Sequence, residues 1–140
     1  MCVFSIPSEA PPLKRILFVC VENSCRSQMA EGFAKAIGRD AVEVYSAGSR
    51  PSGVVNPRAI QFMREKGIDL STHASEGLDR VANLAFDHVI TMGCGDACPH
   101  VPAKARHDWA LRDPKHLPDD EFRAVRDEIE RRVRVLLELP

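Results

Sequence analysis

The sequence predicts an α/β fold, a single three-layer domain in which a four-stranded parallel sheet is flanked by helices. Strand-like segments alternate along the chain with helical ones, the order that winds a parallel sheet through crossover helices. The run Ile16-Leu17-Phe18-Val19 is apolar on successive residues, as a central strand covered on both faces must be. The 140 residues, 44% apolar and 28% charged, suit one domain with its own core, and no repeat or low-complexity tract interrupts them.

Residues 1–14 carry three prolines and no helical or strand period, so a flexible N-terminal tail is expected there, with Cys2 in it, and the domain at 15–140. The first strand spans about 15–20. A helix follows from about 26 to 37, with Met29, Phe33 and Ile37 on one face and Gly38 as its stop. A short alternating stretch, 42–46, reads as a second strand, and 46–53 as a turn-rich loop. Asn56 caps and Pro57 opens a helix over 57–66 that ends at Gly67, with Ile60 and Met63 inward. Residues 68–73 read as extended or irregular, and 77–84 as a short helix. Further strands are expected at 88–92 and 105–109, with Trp109 in the core. Asp119 is the expected cap of a final helix whose Phe122, Val125, Ile129, Val133 and Leu136 form a stripe of 3.6-residue period.

Composition excludes several classes of function. A formal charge of -1 with dispersed basic residues gives no footprint for nucleic acid. No apolar run approaches a membrane span. The first residues lack the basic start and long apolar middle of a secretory signal, so a cytoplasmic protein is expected. Five cysteines, an odd number, argue for thiol chemistry in a reducing compartment rather than a disulfide framework.

The chemistry concentrates between the first strand and first helix, in Cys20-Val21-Glu22-Asn23-Ser24-Cys25-Arg26-Ser27. A tight loop there can converge its backbone N–H groups, with the free donors of the helix start, on one tetrahedral oxyanion. Cys20 stands at its mouth, where the helix N-terminus and Arg26 favour a thiolate nucleophile. Arg26 can hold two equatorial oxygens with its planar fork while Cys20 attacks the central atom. Ser27 can donate to the thiolate, Asn23 can brace the loop, and Cys25 is expected to pack rather than react. Farther on, Cys94 and Cys98 lie in a loop with Gly93, Gly95 and Pro99. They read as a redox pair, as unrelated loop thiols, or, with His100 and His107, as a zinc half-site. Asp113-Pro114 reads as a turn or as a stiffened general acid. The five histidines, His73, His88, His100, His107 and His116, show no spacing of a catalytic pair.

The run from Phe18 to Gly32 resembles the active-site signature of the thioredoxin-coupled arsenate reductases, a branch of the low-molecular-weight protein tyrosine phosphatase superfamily. The likeness continues through Ser46-Ala47-Gly48, Asn56-Pro57, Gly67-Ile68-Asp69, Val89 to Cys94, Asp113-Pro114 and the last helix. It implies a low-molecular-weight phosphatase-like fold in which Cys20 forms an adduct with arsenate. Cys94 then attacks that sulfur and expels arsenite, and Cys98 carries the disulfide to where thioredoxin reduces it. Asp113 takes the family's general-acid place, and Val21, Glu22, Asn23, Ser24, Cys25 and Ser27 form the oxyanion loop. Some members hold potassium behind that loop; the matching positions are Asn23, Glu31 and Ser46, with Glu76 where those members carry aspartate. Read alone, Glu31 is a solvated helix residue.

The reading is therefore a monomeric arsenate reductase serving arsenic detoxification. It has no bound cofactor other than potassium, uses external thioredoxin, and meets phosphate and sulfate as competing anions. A low-molecular-weight protein tyrosine phosphatase is the alternative. Behind it stands a non-catalytic arsenite- or metal-binding protein, for which an oxyanion loop has no use.

Overall fold

β1 (Lys14–Cys20) lies inside the sheet, and its last five residues are fully buried, which is why its sequence shows no alternation. The computed structural model describes residues 13–93 and 101–139. Along the chain follow α1 (Arg26–Gly38), β2 (Val42–Gly48), α2 (Pro57–Arg64), β3 (Phe86–Thr91), β4 (Ala103–Asp108) and α3 (Asp119–Leu137). Short 3-10 segments occupy Arg39–Ala41, Leu78–Val81 and Pro114–His116.

The sheet has the order β2-β1-β3-β4 with every neighbouring pair parallel, as the alternating pattern requires. The chain leaves β1 toward β2 on one side and returns to β3 on the other. The carboxyl end of β1 is therefore a topological switch point, where open α/β sheets bind ligands. Cys20 is the last residue of that strand.

One face of the sheet, with Ile16, Phe18, Ile90 and Met92, packs under all three α-helices through Met29, Phe33, Phe62, Phe122, Ile129 and Val133. The opposite face, with Leu17, Val19 and Val89, is covered by Val81 and Leu78 of a 3-10 segment and by Val101. The expected stripe of α3 is buried throughout, and Trp109 lies in the core against Phe18, their ring centroids 5.9 Å apart.

Several boundaries differ from the sequence reading. Gly38 is the last residue of α1 and not its left-handed stop; Arg39 carries the positive φ of 49°. A Cβ on Gly38 would lie 2.6 Å from the Val42 side chain, so glycine is needed for close approach. β1 begins one residue early, at Lys14, and β2 runs on to Gly48. In α2, capped by Asn56 Oδ1 accepting from Arg58 N–H, the buried residues are Ala59, Phe62 and Met63; Ile60 is half-buried. The segment expected as a short helix over 77–84 is the 3-10 turn Leu78–Val81. β3 and β4 each start two residues before their expected positions. Pro118, not Asp119, precedes α3, and Asp119 pairs with Arg58 at 2.9 Å instead of capping.

Candidate active site

Between β1 and α1 the chain turns sharply, and Asn23 takes a left-handed φ of 51°, which a short polar side chain tolerates best. Every carbonyl of the turn is spoken for. Val21 O accepts from Arg50 N–H at 2.8 Å, Glu22 O from Ser52 N–H at 3.0 Å, and Ser24 O from Asn56 N–H at 3.1 Å. Asn23 O accepts from Gln28 Nε2 at 3.2 Å, and Cys25 O from Met29 N–H inside the helix. The N–H groups of Glu22, Asn23, Ser24 and Cys25 have no protein acceptor among the described residues. A loop with its carbonyls bonded outward and its amides free is an anion cradle.

The Cys20 sulfur sits 2.9 Å from Ser27 Oγ. Asn23 Nδ2 donates to that same Oγ at 2.7 Å, which leaves the Ser27 hydrogen to donate toward the sulfur. Behind them Asn23 Oδ1 accepts from Glu76 N–H at 2.8 Å and from Gln28 Nε2 at 3.0 Å. Gln28 also donates to Ala74 O, so its Oε1 is the acceptor facing His73 Nδ1 at 3.0 Å. Burial holds the His73 imidazole below its ordinary value, against the opposing pull of Glu31. The neutral ring then donates through Nδ1. Gln28 and His73 thus belong to the scaffold of the cradle. Nothing in the sequence spacing marks them, because the loop 68–76 returns to α1 only in the folded chain.

Arg26, the first residue of α1, is buried. Its Nη1 donates to Met92 O at 2.7 Å and Leu111 O at 3.0 Å, while Nη2 stands 3.9 Å from Asp113 Oδ2. The carbonyls fix the guanidinium plane, and the Nε–Nη2 edge is the part of the fork left for an oxyanion. Gly93, at φ 83°, passes where a side chain would come within 3.0 Å of Nη1. Asp113 Oδ1 accepts from Lys115 N–H at 3.0 Å, so the carboxylate is held at the start of the Pro114–His116 turn. Burial, followed by the charges of Asp113 and Cys20, pushes the Cys25 thiol up to about 12; it packs in the core and is no nucleophile near neutrality.

Cys20, Glu22, Ser24, Cys25, Arg26, Asp113 and Lys115 line one narrow pocket of about 10 Å³, room for about one water. The expected nucleophile, cation and acid therefore do converge. A larger hollow, about 750 Å³, lies between Leu13, Ile37, Val42 and Leu137 and contains no thiol. Cys94, Cys98 and His100, and with them the relay and the zinc half-site, lie outside the described residues. His107, the described member of that half-site, is 3.0 Å from His88 Nδ1. No metal-binding cluster of three His, Cys, Asp or Glu occurs among the described residues.

Glu31 is buried rather than solvated. Its Oε1 accepts from Ser46 Oγ and its Oε2 pairs with Lys35, each at 2.5 Å. The Glu76 carboxylate turns to Arg80, at 2.5 Å. Asn23 Oδ1 is taken by Glu76 N–H and Gln28 Nε2, while Ser46 Oγ acts as a donor to Glu31. Lys35 supplies a positive charge beside the Glu31 carboxylate.

The profile of the family described as low molecular weight phosphotyrosine protein phosphatase matches residues 15–139. A protein of Staphylococcus aureus (strain Newman) named arsenate reductase is 48% identical over 120 residues, 83% of this chain and 90% of that protein. A solved structure described as an arsenate reductase in the phosphate binding state superposes with a TM-score of 0.80 at 40% identity, covering 89% of this chain and 97% of the other. A Corynebacterium glutamicum thioredoxin-dependent arsenate reductase superposes with a TM-score of 0.74 at 36% identity, over 91% of this chain and 61% of its own. No helix among the described residues is long and apolar enough to cross a membrane.

Proposed function

The chain belongs to the arsenate reductase branch of the low molecular weight phosphotyrosine protein phosphatase family, and from that premise we propose that it reduces arsenate to arsenite with thioredoxin as electron donor. The observation that carries this reading is the pocket in which the Cys20 sulfur, the Arg26 guanidinium and the Asp113 carboxyl meet above a loop of free amides.

In the proposed sequence arsenate enters the cradle with its charge spread over the loop amides and the Arg26 edge. The Cys20 thiolate attacks arsenic, and Asp113 gives a proton to the departing oxygen, which leaves as water. Ser27 and Asn23 hold the sulfur in place before the attack. The Cys94 thiolate then attacks the Cys20 sulfur; the S–As bond breaks, its electron pair stays on arsenic, and arsenite departs as As(III). Cys98 displaces Cys20 from the Cys20–Cys94 disulfide, and the two thiols of thioredoxin reduce the resulting Cys94–Cys98 bond. The reading includes a monomer in the cytoplasm, where thiols are kept reduced.

The test is NADPH oxidation coupled through thioredoxin reductase and thioredoxin to arsenate. Cys20→Ser abolishes turnover. Cys94→Ser and Cys98→Ser stop multiple turnover yet spare hydrolysis of p-nitrophenyl phosphate, a side activity expected of a thiolate beside a phosphate cradle. Normal arsenate turnover in both late variants would refute the relay.

A further inference from the structure

Glu22 sets a carboxylate on the anion loop itself, where negative charge opposes the oxyanion the loop is shaped to hold. Lys115 answers it from the opposite wall, donating from Nζ to both Glu22 oxygens at 2.9 and 3.0 Å. That pairing raises the ammonium above its ordinary value. The backbone of Lys115 is tied on both sides. Its N–H donates to Asp113 Oδ1, and its carbonyl accepts from Arg58 Nη1 at 3.1 Å, while Arg58 Nη2 holds Asp119. The ion pair therefore joins the anion loop to the turn bearing Asp113. Glu22, Lys115 and Asp113 are the side chains that reach solvent around a pocket whose other lining residues are buried, so the pocket opens beside the pair.

We infer that the Glu22–Lys115 pair is a specificity-determining strap over the oxyanion site, admitting a small inorganic oxyanion and disfavouring the same anion carrying an aryl substituent. The inference rests on the proposed function for the site it guards. A bare tetrahedral anion presents only oxygens, which the loop amides and the Arg26 edge can meet without any group passing between Glu22 and Lys115. In this inference an aryl group attached to, or standing in place of, one oxygen points out past the partly exposed Glu22 and Lys115 side chains, and the pair must part to let it. Both side chains are about one-third exposed, at 38% and 33%, so the strap opens at moderate cost and acts as a filter, not a seal.

The two halves of the strap have opposite effects on charge, which makes the test sharp. Calorimetry on the full chain reads the affinity for inorganic phosphate and for phenylphosphonate. Glu22→Gln removes the opposing charge and tightens phosphate about threefold; Lys115→Met exposes that charge and weakens phosphate about tenfold. In both, the strap is gone, and the affinity for phenylphosphonate relative to phosphate rises at least threefold. The charge swap Glu22→Lys with Lys115→Glu restores the ratio to within twofold of the parent. A ratio unchanged in either single variant, or a swap that behaves like the single variants, overturns the inference. None of these readings depends on arsenate reduction, so failure of the proposed function is seen separately in the thioredoxin-coupled assay.

Discussion

Gly48 ends β2 directly behind the anion loop, in register with Cys20. A Cβ added there would lie 2.6 Å from Val21 O, 2.9 Å from Asn23 N and 3.0 Å from Glu22 C, all backbone atoms that no rotamer change can move aside. Restoring an ordinary C···O contact of about 3.3 Å requires the loop to retreat by about 0.7 Å. Gly48 is itself held, its N–H bonded to Glu76 O at 2.9 Å. Overpacking of this kind costs about 1–3 kcal/mol, or about 3–10 °C in Tm for a chain of this size. The larger effect falls on chemistry, since a displacement approaching 1 Å in a catalytic constellation lowers the rate by about 10- to 100-fold. Gly48→Ala should therefore lose that much kcat/KM in thioredoxin-coupled arsenate reduction, and phosphate affinity with it. Gly67→Ala is the control: φ is 76° with nothing within 4 Å, so alanine costs about 1–2 kcal/mol of backbone strain far from the pocket. Equal loss of stability in the two variants with lost activity only in Gly48→Ala is the expected pattern. A Gly48→Ala protein within twofold of the parent in kcat/KM and phosphate affinity would refute the argument.

Asn23→Ala loses the bonds to Ser27, Glu76 and Gln28 and the tolerance for a left-handed φ. About 1–3 kcal/mol of stability should go, with about a tenfold or greater drop in kcat/KM, read by urea titration and the coupled assay; Asn23→Gly should recover part of the stability but not the rate. Phe122→Ala, which empties a fully buried site against Phe62 at 4.9 Å, should cost about 3–5 kcal/mol in the same titration. With its thiol pushed up to about 12, Cys25 should resist iodoacetamide at pH 8 while Cys20 is alkylated, as peptide mass spectrometry would show; equal labelling of both would contradict the burial argument. Burial, then the charges of His107 and Lys14, holds His88 below 6.5 against the pull of Asp87. The unfolded chain takes that proton first, so the stability His88 protects is whole above pH 6.5 and is lost as the pH falls below it. The urea midpoint of the parent should drop more between pH 7.5 and pH 5 than that of His88→Gln.

The central strand, the loop from Cys20 to Ser27 and the helix after it were legible because their signals are local: a continuous apolar run, a turn, then helical period. The stripe of α3 was legible for the same reason. The ends of β3 and β4 were not. β4 lies on the sheet edge with exposed and half-buried residues alternating, so its composition marks no boundary. Phe62 escaped notice beside Ile60 because the helical pattern alone does not say which of two adjacent faces meets α3.

Residue chemistry written along the chain determined the fold class and pointed to Cys20 as the candidate nucleophile with Arg26 beside it, since each depends on neighbours within a few positions. Folding decided the rest: Gly48 against the loop, Gln28 and His73 behind it, Ser46 on Glu31, and Lys115 on Glu22 across 93 residues of sequence. Such contacts form where three elements converge at the end of β1, and sequence spacing holds no measure of a distance that only sheet order and helix packing set.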